Sequence, residues 1–358
     1  FAPGGPSHPN CPIYLYLRTM SFRAKRIWAE GTSPEEEVLL ASKNLHAKGR
    51  FAYVFSSMME KPLRKKVAVK QAIESKVAEQ QGLQYKGEAD VLAQLNHPHV
   101  VRLLYYYVES INNEKLHWMI LDFLPYDMGS LKERGIQLDA IDAAMYAWQL
   151  WSALEYVNEK GYAHLDVKPQ NLIFDHNTGL LQLADFGNAK KLVSGEKNLP
   201  YQVTRFYRAP ELLFGSEELN FGIDWWAAAC VTAEFATRRT LLREGSANAQ
   251  MRLIVHTFGY PTRDEIKEMK IARPRVAAPS RTRGIEGLLD PPHQTDLLDL
   301  LKKCLVYSPS RRLTPPAAMK HPYFAKLFTD PPPKRSNGLP IPDFISNDTE
   351  TNEGSEKK

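Results

Sequence analysis

The spacing of apolar and polar residues divides the chain into a strand-rich part and a helix-rich part. In the first third, alternation with a period of about two is typical of half-buried strands. The predicted strands cover residues 45–55, 67–71, 100–109 and 115–124, and helical spacing covers residues 85–95. Beyond Pro125 the predicted helices cover residues 141–159, 223–237, 249–258, 294–305 and 315–320. The pattern predicts an α+β protein, with a small antiparallel sheet region followed by a larger helical region.

Four regions follow from this pattern and from local composition. We predict an N-terminal extension at residues 1–41, which is partly flexible because it begins rich in Pro and Gly. A sheet-rich region covers residues 42–124, and a helical region covers residues 125–328. A C-terminal tail covers residues 329–358. It is rich in Pro and then polar without periodicity, which favours disorder over most of its length.

Composition narrows the classes of partner. The 358 residues are 43% hydrophobic and 24% charged, with a formal net charge of +5. A mild positive charge without a dense Lys/Arg stripe suits an anionic ligand and predicts no nucleic-acid binding. No apolar run reaches the roughly 18 residues of a membrane span, so no membrane association is expected. Three widely spaced cysteines favour a reducing compartment. We expect a cytoplasmic protein, with the nucleus as an additional location.

The stretch from Tyr162 to Gly187 combines two polar clusters with a predicted β-hairpin. The first cluster contains Asp166, Lys168 and Asn171, and the second contains Asp185. The apolar runs between the clusters are joined by the turn-forming sequence Asp-His-Asn-Thr-Gly, which predicts the hairpin. Carboxylate, amide and amine groups at this spacing could together hold divalent metal ions and a phosphate. A polar surface hairpin without a catalytic role is the alternative.

These motifs resemble those of the eukaryotic protein kinases, whose catalytic loop reads H-R-D-x-K-x-x-N and whose metal-binding turn reads D-F-G. The resemblance implies a bilobal fold, with a small antiparallel β lobe that includes helix C and a larger helical lobe. It implies that Asp166 orients the substrate hydroxyl and that Lys168 contacts the transferred phosphate. It further implies that Asn171 and Asp185 bind Mg²⁺. ATP would bind between the lobes, and proteins would be the substrates.

The resemblance extends to a nucleotide site in the first lobe. Val67-Ala68-Val69-Lys70 looks like the V-A-I-K motif, so Lys70 would contact the α- and β-phosphates. Its ion-pair partner would be Glu88, or alternatively Glu79. Of the family's glycine-rich loop only Gly49 is kept, which predicts weaker ATP binding. Leu121 would be the gatekeeper before the adenine-binding hinge. The implied nucleotide contacts are Ala47, Gly49, Phe51, Ala52, Val54, Ala68, Lys70, Leu121, Asp122, Leu124, Gln170 and Leu172.

Further segments are most similar to the glycogen synthase kinase 3 family of the CMGC group. The likeness covers roughly residues 45–328 and implies specificity for Ser and Thr. It implies that Tyr201 is phosphorylated and that Arg205 and Arg208 bind its phosphate. The segments that carry the likeness are residues 168–172, 185–190, 201–215 and 259–269.

Two matches to the kinase pattern imply structural roles. Glu211 lies in an A-P-E motif whose glutamate forms a buried ion pair in the family, and Arg312 is its matching partner. Asp224 resembles the carboxylate that anchors the backbone of the catalytic loop.

The chain departs from this family at positions that bind substrate and partners. In this family, three basic residues would hold a priming phosphate on the substrate. The corresponding positions here are Gly87, Leu165 and Lys190, and only Lys190 is basic. We therefore expect weak or absent dependence on primed substrates, and looser control by the activation segment. Residues 270–280 depart from the family's scaffold-binding region, so scaffold binding is not the favoured expectation. The short likeness of residues 18–22 to the family's inhibitory serine motif is interpreted as chance.

An alternative function is open at this point. The altered glycine loop and Leu165 suit a pseudokinase, a protein that keeps the fold and acts as a scaffold or binding module. The favoured hypothesis is an active enzyme, because the residues that transfer would require are all kept. They are Lys70, Asp166, Lys168, Asn171 and Asp185.

Overall fold

The structure is a computed structural model that describes residues 19–27, 35–41, 43–48, 52–73, 85–111, 114–193, 205–289 and 295–343. It separates into two compact units. The first lies within residues 1–96 and 102–124, and the second within residues 97–101 and 125–358. The chain passes from one unit to the other after Leu124, where the periodicity of the sequence changes from strand to helix.

Within its described residues, the first unit contains a seven-stranded antiparallel sheet and one helix. Its elements are β1 (Met20–Ala24), β2 (Glu36–Leu40), β3 (Asn44–Lys48), β4 (Ala52–Lys61), β5 (Lys65–Ile73), α1 (Tyr85–Leu92), β6 (Leu103–Ile111) and β7 (Glu114–Asp122). The strand order is β1-β2-β4-β5-β7-β6, and β3 pairs with the first half of β4. The long central strands β4, β5 and β7 therefore form a platform whose two faces have different roles.

One face of this platform carries the hydrophobic core of the unit. Successive side chains of a strand point to opposite faces, so every second residue enters the core. The buried core residues are Phe22, Ala24, Val38, Leu40, Phe55, Met59, Val67, Val69, Tyr105, Leu116, Trp118 and Ile120. The opposite face presents the residues for which the sequence predicts nucleotide contacts.

The predicted N-terminal extension differs from what the structure shows. Residues 20–24 and 36–40 form β1 and β2, which continue the sheet rather than preceding it. Phe22, Val38 and Leu40 are buried in the core. The five-residue alternations are too short to stand out in a mixed polar sequence. Ser21, in the segment compared with the inhibitory serine motif, is exposed on β1, and its hydroxyl donates to Glu37 at 3.2 Å.

The second unit is mainly helical. Its helices are α2 (Met128–Glu133), α3 (Ala140–Glu159), α4 (Pro210–Leu213), α5 (Gly222–Thr237), α6 (Ala247–Phe258), α7 (Arg263–Glu268), α8 (Thr295–Cys304), α9 (Pro315–Met319) and α10 (Pro322–Ala325). Its short strands are β8 (Tyr126–Asp127), β9 (Tyr162–Ala163), β10 (Leu172–Asp175), β11 (Leu180–Leu183) and β12 (Lys190–Lys191). The long helix α3 packs against α5, α9 and β11 and is buried along most of its length.

Part of the predicted disordered tail is ordered. Residues 334 and 340 form a β-bridge, which closes a turn through Gly338. The side chain of Arg335 is fully buried and pairs with the buried Asp142 of α3 at 3.3 Å. The two residues of this contact are far apart in the sequence and follow no periodic pattern, so composition alone does not predict it.

None of the described helices combines the length and the apolar character that crossing a membrane requires.

Candidate active site

The hairpin predicted at the centre of the chain is present and carries a polar cluster at one end. β10 pairs with β11 in antiparallel register, with Leu172 opposite Leu183. A one-turn 3-10 helix at Pro169–Asn171 precedes β10 and turns the side chain of Asn171 towards Asp166. The Asn171 amide Nδ2 donates to the Asp166 backbone carbonyl at 2.8 Å and to its carboxylate Oδ2 at 3.1 Å.

The two carboxylate oxygens of Asp166 have different surroundings. Oδ2 accepts from Lys168 Nζ at 2.7 Å, from Asn171 and from Asn188 Nδ2 at 3.3 Å. Oδ1 is buried and accepts no hydrogen bond from any part of the chain that the structure describes. A buried acceptor without a donor is costly, which points to a donor supplied by a ligand.

The backbone that presents Asp166 is held by Asp224 of α5. The amides of His164 and Leu165 donate to the Asp224 carboxylate at 2.7 and 2.8 Å. Burial raises the pKa of Asp224 to about 7, and the charge of Asp166 adds to the rise, although both amides favour the ionised form. Leu165 adopts a left-handed φ of 64°, an uncommon conformation for a non-glycine residue that these hydrogen bonds stabilise.

His164 completes this support as a neutral ring. Burial lowers its pKa. Its Nδ1 accepts the Asp166 amide at 3.2 Å, and its Nε2 lies 3.1 Å from the Ala184 carbonyl oxygen. The proton therefore resides on Nε2, which donates to Ala184. The ring links the loop of Asp166 to the turn of Asp185.

Asn171 and Asp185 fit a site for a hard divalent cation. Both hydrogen bonds of the Asn171 side chain to Asp166 are donated by Nδ2. The side-chain carbonyl oxygen, the atom that would ligate Mg²⁺, takes no part in them. Asp185 takes a left-handed φ of 63° at the start of a 3-10 turn. Within the described residues, no group of three or more His, Cys, Asp or Glu side chains could hold a metal alone. Two protein oxygens suit Mg²⁺ that is completed by phosphates and water.

In the first unit, Lys70 forms an ion pair with Glu88. Lys70 Nζ of β5 lies 2.7 Å from each carboxylate oxygen of Glu88 on α1. Glu88 is almost fully buried, whereas the Lys70 side chain keeps 13% of its exposure. The alternative partner Glu79 lies outside the described residues. The pair holds the Lys70 ammonium group in place, and Lys70 lies opposite Val54 in the sheet.

Most of the described nucleotide-contact candidates share that face. In the register, Val54 is opposite Lys70, Ala52 is opposite Ala72, and Ala68 is opposite Leu121. Side chains at directly opposed positions lie on the same face. In the backbone register, Ala47 of β3 pairs with Val54 of β4. Gly49 and Phe51 lie outside the described residues.

Of the remaining candidates, Asp122 and Leu124 belong to the first unit, and Gln170 and Leu172 belong to the second. The Asp122 amide donates to the Arg102 carbonyl at 3.1 Å, and its carboxylate pairs with Lys65 at 2.5 Å. Its side chain therefore links β7 to the neighbouring strand β5. Leu124 is half-buried at the end of the first unit. In the second unit Gln170 is exposed on the 3-10 turn, and Leu172 is fully buried on β10.

Comparison with known proteins identifies the family. The model of the protein kinase domain matches residues 44–324. The chain belongs to the protein kinase family. It is 39% identical over 299 residues to the putative serine/threonine-protein kinase gskl-1 of Caenorhabditis elegans, covering 83% of this chain and 82% of the relative. It is 35% identical over 279 residues to protein kinase gsk3 of Schizosaccharomyces pombe, covering 76% and 70% of the two chains.

A third relative supports the same assignment. Protein kinase gsk31 of Schizosaccharomyces pombe is 33% identical over 269 residues, covering 73% of this chain and 69% of the relative. The predicted likeness to the glycogen synthase kinase 3 family and the predicted α+β kinase fold are therefore confirmed. Membership implies the use of ATP and of protein substrates.

The kinase also shows the predicted ion pair of the A-P-E motif. Arg312 donates to both carboxylate oxygens of Glu211 at 2.7 Å, and both side chains are buried. Arg312 also donates to the carbonyl of Gly222 at the start of α5. Because a bidentate arginine holds α4 against α5, the segment that follows the activation loop is fixed to the core.

The predicted phosphate-docking cations lie in the second unit. Lys190 is exposed on β12, and Arg205 is exposed on a 3-10 turn. Arg208 is half-buried beside the small cavity that Leu165 lines. Burial and the neighbouring charge of Arg205 lower the pKa of Arg208, while Asp166 opposes them. Tyr201 lies outside the described residues.

One residue of the site was missed from the sequence. Asn188 follows Asp185-Phe186-Gly187 directly, and its amide donates to Asp166 across the cluster. A polar amide at the end of a metal-binding motif was a usable signal, but the motif alone does not show which way the side chain turns.

Proposed function

We propose that this kinase transfers the γ-phosphoryl group of ATP to Ser and Thr hydroxyls of proteins, with little dependence on primed substrates. The observation that carries the proposal is the asymmetric Asp166 carboxylate. Lys168, Asn171 and Asn188 hold Oδ2, so Oδ1 is the oxygen positioned to accept a hydrogen bond from a substrate hydroxyl.

Transfer requires an oriented hydroxyl and stabilised phosphate charge more than covalent catalysis. The substrate oxygen forms the new bond to the γ-phosphorus, the bond to the β-phosphate oxygen breaks, and ADP leaves. Asp166 Oδ1 accepts the hydroxyl proton. Lys168 is placed to stabilise negative charge on the phosphoryl group, since its Nζ lies 2.7 Å from Asp166 Oδ2.

Asn171 and Asp185 would hold Mg²⁺, which supplies positive charge to the phosphate oxygens when bound. The left-handed turn at Asp185 and the two hydrogen bonds of Asn171 restrict these side chains before any ligand binds. Such preorganisation lowers the cost of assembling the charged site.

Lys70 would contact the α- and β-phosphates of ATP. Its ion pair with Glu88 holds the ammonium group in place. Ala52, Val54, Ala68 and Leu121 would surround the adenine and ribose from the apolar part of the same face. The altered glycine loop predicts weaker ATP binding, because fewer backbone amides can approach the phosphates.

Weak priming dependence follows from Gly87 and Leu165. Gly87 on α1 offers no side chain, and Leu165 is an apolar residue with 4% of its surface exposed. Each charge-assisted hydrogen bond to a phosphate contributes about 1.5–3 kcal/mol. Of the family's three docking cations only Lys190 is present, so a priming phosphate should add little affinity.

The transfer reaction is tested with labelled ATP, Mg²⁺ and a Ser-containing protein substrate. We expect transfer by the parent and a loss of about a hundredfold or more in Asp185→Asn, because the variant removes a charge at the metal site. The control Asp264→Asn changes an exposed carboxylate on α7 and should keep full activity. ATP binding by the parent without any transfer would instead support the pseudokinase alternative.

Priming is tested with one peptide in phosphorylated and unphosphorylated forms. We expect similar kcat/KM values for the two forms. A preference of about tenfold or more for the phosphorylated peptide would show that the phosphate is bound elsewhere, which contradicts this part of the proposal.

A further inference from the structure

The C-terminal hook, which we define as residues 334–340, is a turn that closes on itself. Its two ends form an antiparallel β-bridge. The Arg335 amide donates to the Leu339 carbonyl at 2.9 Å, and the Gly338 amide donates to the Arg335 carbonyl at 2.8 Å. These bonds hold the backbone on both sides of Arg335, so the hook presents this side chain to the rest of the second unit.

The hook docks through one buried arginine. Arg335 pairs with Asp142 of α3 at 3.3 Å, and both side chains are fully buried. The guanidinium group also donates to the carbonyls of His176 and Asn177 in the turn between β10 and β11. Each of its three nitrogens therefore has an acceptor already, and the cation is engaged with the hairpin and with α3.

Ser336 lies at the edge of this contact. Its backbone amide donates to Asp142 Oδ2 at 3.2 Å, whereas the residue is exposed to solvent. The hydroxyl makes no hydrogen bond with any residue that the structure describes. Covalent geometry keeps a serine hydroxyl within about 4 Å of its own amide nitrogen, so this hydroxyl lies within about 7 Å of the Asp142 carboxylate. An accessible nucleophile is thus held beside a buried negative charge.

The surface under the hook is acidic. Burial lowers the pKa of His176 in this surface, and the charge of Arg335 adds to the effect. Three nearby carboxylates oppose it, those of Asp142, Asp175 and Asp139. Such a surface stabilises a docked cation, and it would repel a further negative charge brought to the same place.

We propose that Ser336 is a phosphorylation site and that its phosphate releases the hook from the hairpin of β10 and β11. A phosphoserine carries a charge of about −1.5 to −2 at pH 7, and it disrupts a contact when it lies next to carboxylates. At position 336 it lies next to Asp142, and the neighbouring Arg335 already has its acceptors. Repulsion by the acidic surface therefore outweighs attraction to the docked cation.

The sequence before Ser336 suits a kinase that selects basic residues. Lys334 and Arg335 directly precede the serine, and charge patterns beside a hydroxyl guide the choice of substrate by kinases. Because Arg335 is buried in the docked hook, such a kinase can bind both cations only after the hook opens. Phosphorylation then keeps the hook in the open state.

The chemical step is transfer from ATP by a separate kinase. The Ser336 oxygen forms a bond to the γ-phosphorus, the bond to the β-phosphate oxygen breaks, and ADP and the hydroxyl proton leave. The proposal does not rest on phosphoryl transfer by this chain.

Release of the hook is tested on the whole chain with phosphoserine incorporated at position 336 during translation. Hydrogen exchange followed by mass spectrometry reports the amides of residues 334–340, which are protected while the hook is docked. We expect these amides to exchange about tenfold or more faster than in the parent. Exchange in the buried helix α5 should not change, which checks that the fold is retained.

Two matched controls separate local charge from size and from net charge. Ser336→Gln adds bulk without charge, and phosphoserine at the exposed position 280 adds the same charge elsewhere in the second unit. Both should show the exchange of the parent in the hook. The proposal is overturned by parent-like exchange with phosphoserine at position 336, or by equally fast exchange in either control. For a phosphorylated chain that fails to fold, Ser336→Asp replaces it and should speed exchange by about threefold or more.

The modification itself is tested with ATP, Mg²⁺ and a purified kinase that selects serines after basic residues. All chains carry Asp185→Asn, so the phosphate comes from the added kinase. Peptide mass spectrometry should find phosphate on Ser336, at a rate about threefold or more higher when Asp142→Asn weakens docking. The exposed Asp264→Asn is the control and should keep the parent rate. Absence of phosphate on Ser336 in every chain, or equal rates with and without Asp142→Asn, would contradict the proposal.

Discussion

Leu165 is a buried apolar residue at the position where related kinases carry a cationic catalytic-loop residue. Its left-handed φ is imposed by the two amide bonds to Asp224 and not by the nature of its side chain. Leu165 has a Cβ and already adopts this left-handed conformation, so an arginine at position 165 could adopt it as well. The backbone of the catalytic loop therefore does not require leucine rather than arginine at this position.

The variant Gly87→Arg/Leu165→Arg should restore a preference for primed substrates. Two added cations would each offer charge-assisted hydrogen bonds to the priming phosphate, so we expect the ratio of kcat/KM for primed and unprimed peptides to rise about tenfold or more. The measurement is that ratio in the parent and the variant. Activity on the unprimed peptide is the control for folding. An unchanged ratio in an active variant would show that these positions do not bind the phosphate.

Asn188 should act as a positioning residue for Asp166. Its amide is 3.3 Å from Oδ2, which is a long hydrogen bond beside the 2.7 Å contact from Lys168. Asn188→Ala should therefore lower kcat by about threefold to tenfold, the effect of one modest hydrogen bond, with KM for ATP nearly unchanged. The exposed Asn44→Ala is the matched control. A change in KM alone would assign Asn188 to nucleotide binding instead.

The catalytic hairpin is held at the end far from Asp166 by helix α3 and the C-terminal segment. Gln149 of α3 donates to the Gly179 carbonyl at 2.9 Å and accepts the Leu181 amide at 2.7 Å. Gly179 has a φ of +78°, and a Cβ added there would lie 2.6 Å from Arg335 Nη1. Only glycine suits this turn, both for its backbone and for the approach of the arginine.

Arg335 should be one of the most important single residues for stability. Its side chain is fully buried, pairs with Asp142 at 3.3 Å and donates to the carbonyl of His176 in the hairpin turn. Arg335→Met leaves a buried carboxylate without its cation, so we expect the free energy of unfolding to fall by about 3–5 kcal/mol. Urea unfolding measures this change, with the exposed Lys334→Met as control.

The double variant Arg335→Met/Asp142→Asn separates charge from packing. Because the second change removes the unpaired charge, the double variant should be more stable than Arg335→Met alone. Equal losses for Arg335→Met and Lys334→Met would instead show that the tail contributes little to the folded state.

The fold at the level of the whole molecule was predictable wherever the sequence is locally periodic. The hairpin at β10 and β11, the long helix α3 and the Glu211–Arg312 pair all follow from patterns or motifs within the chain. The two strands β1 and β2 at one side of the sheet were missed, because five residues of alternation carry little signal without the sheet they join.

The docking of the C-terminal segment was missed for a different reason. Residues 335 and 142 are distant in the sequence, and nothing local to either one indicates a buried ion pair. Contacts of this kind depend on tertiary structure that the local pattern does not contain. For the same reason the sequence indicated the residue types of the active site but not that Asn188 donates to Asp166.

Buried neutral histidines should make the stability of this kinase depend on acid. Burial lowers the pKa of His99 to about 3, and the charge of His97 adds to this effect, while burial lowers the pKa of His97 to about 4. An unfolded histidine titrates near 6.5, so between about pH 6.5 and 4 the unfolded chain binds more protons at both residues. Their contribution is present above pH 6.5 and is lost as the pH falls. Asp224 acts in the opposite direction, because its folded pKa of about 7 lies above the unfolded value.

The variant His99→Gln removes the contribution of one histidine to this pH dependence. Between pH 6.5 and 4.5 the free energy of unfolding should fall less steeply in this variant than in the parent. The two slopes should differ by about 1.4 kcal/mol per pH unit, the value for one proton. Urea unfolding at several pH values gives the slope, which is independent of any constant loss from the missing ring. The variant His46→Gln, at an exposed position, is the control for replacing a histidine with glutamine. Parallel curves for His99→Gln and the parent would mean that His99 is protonated in the folded state, which its burial among the residues of the second unit argues against.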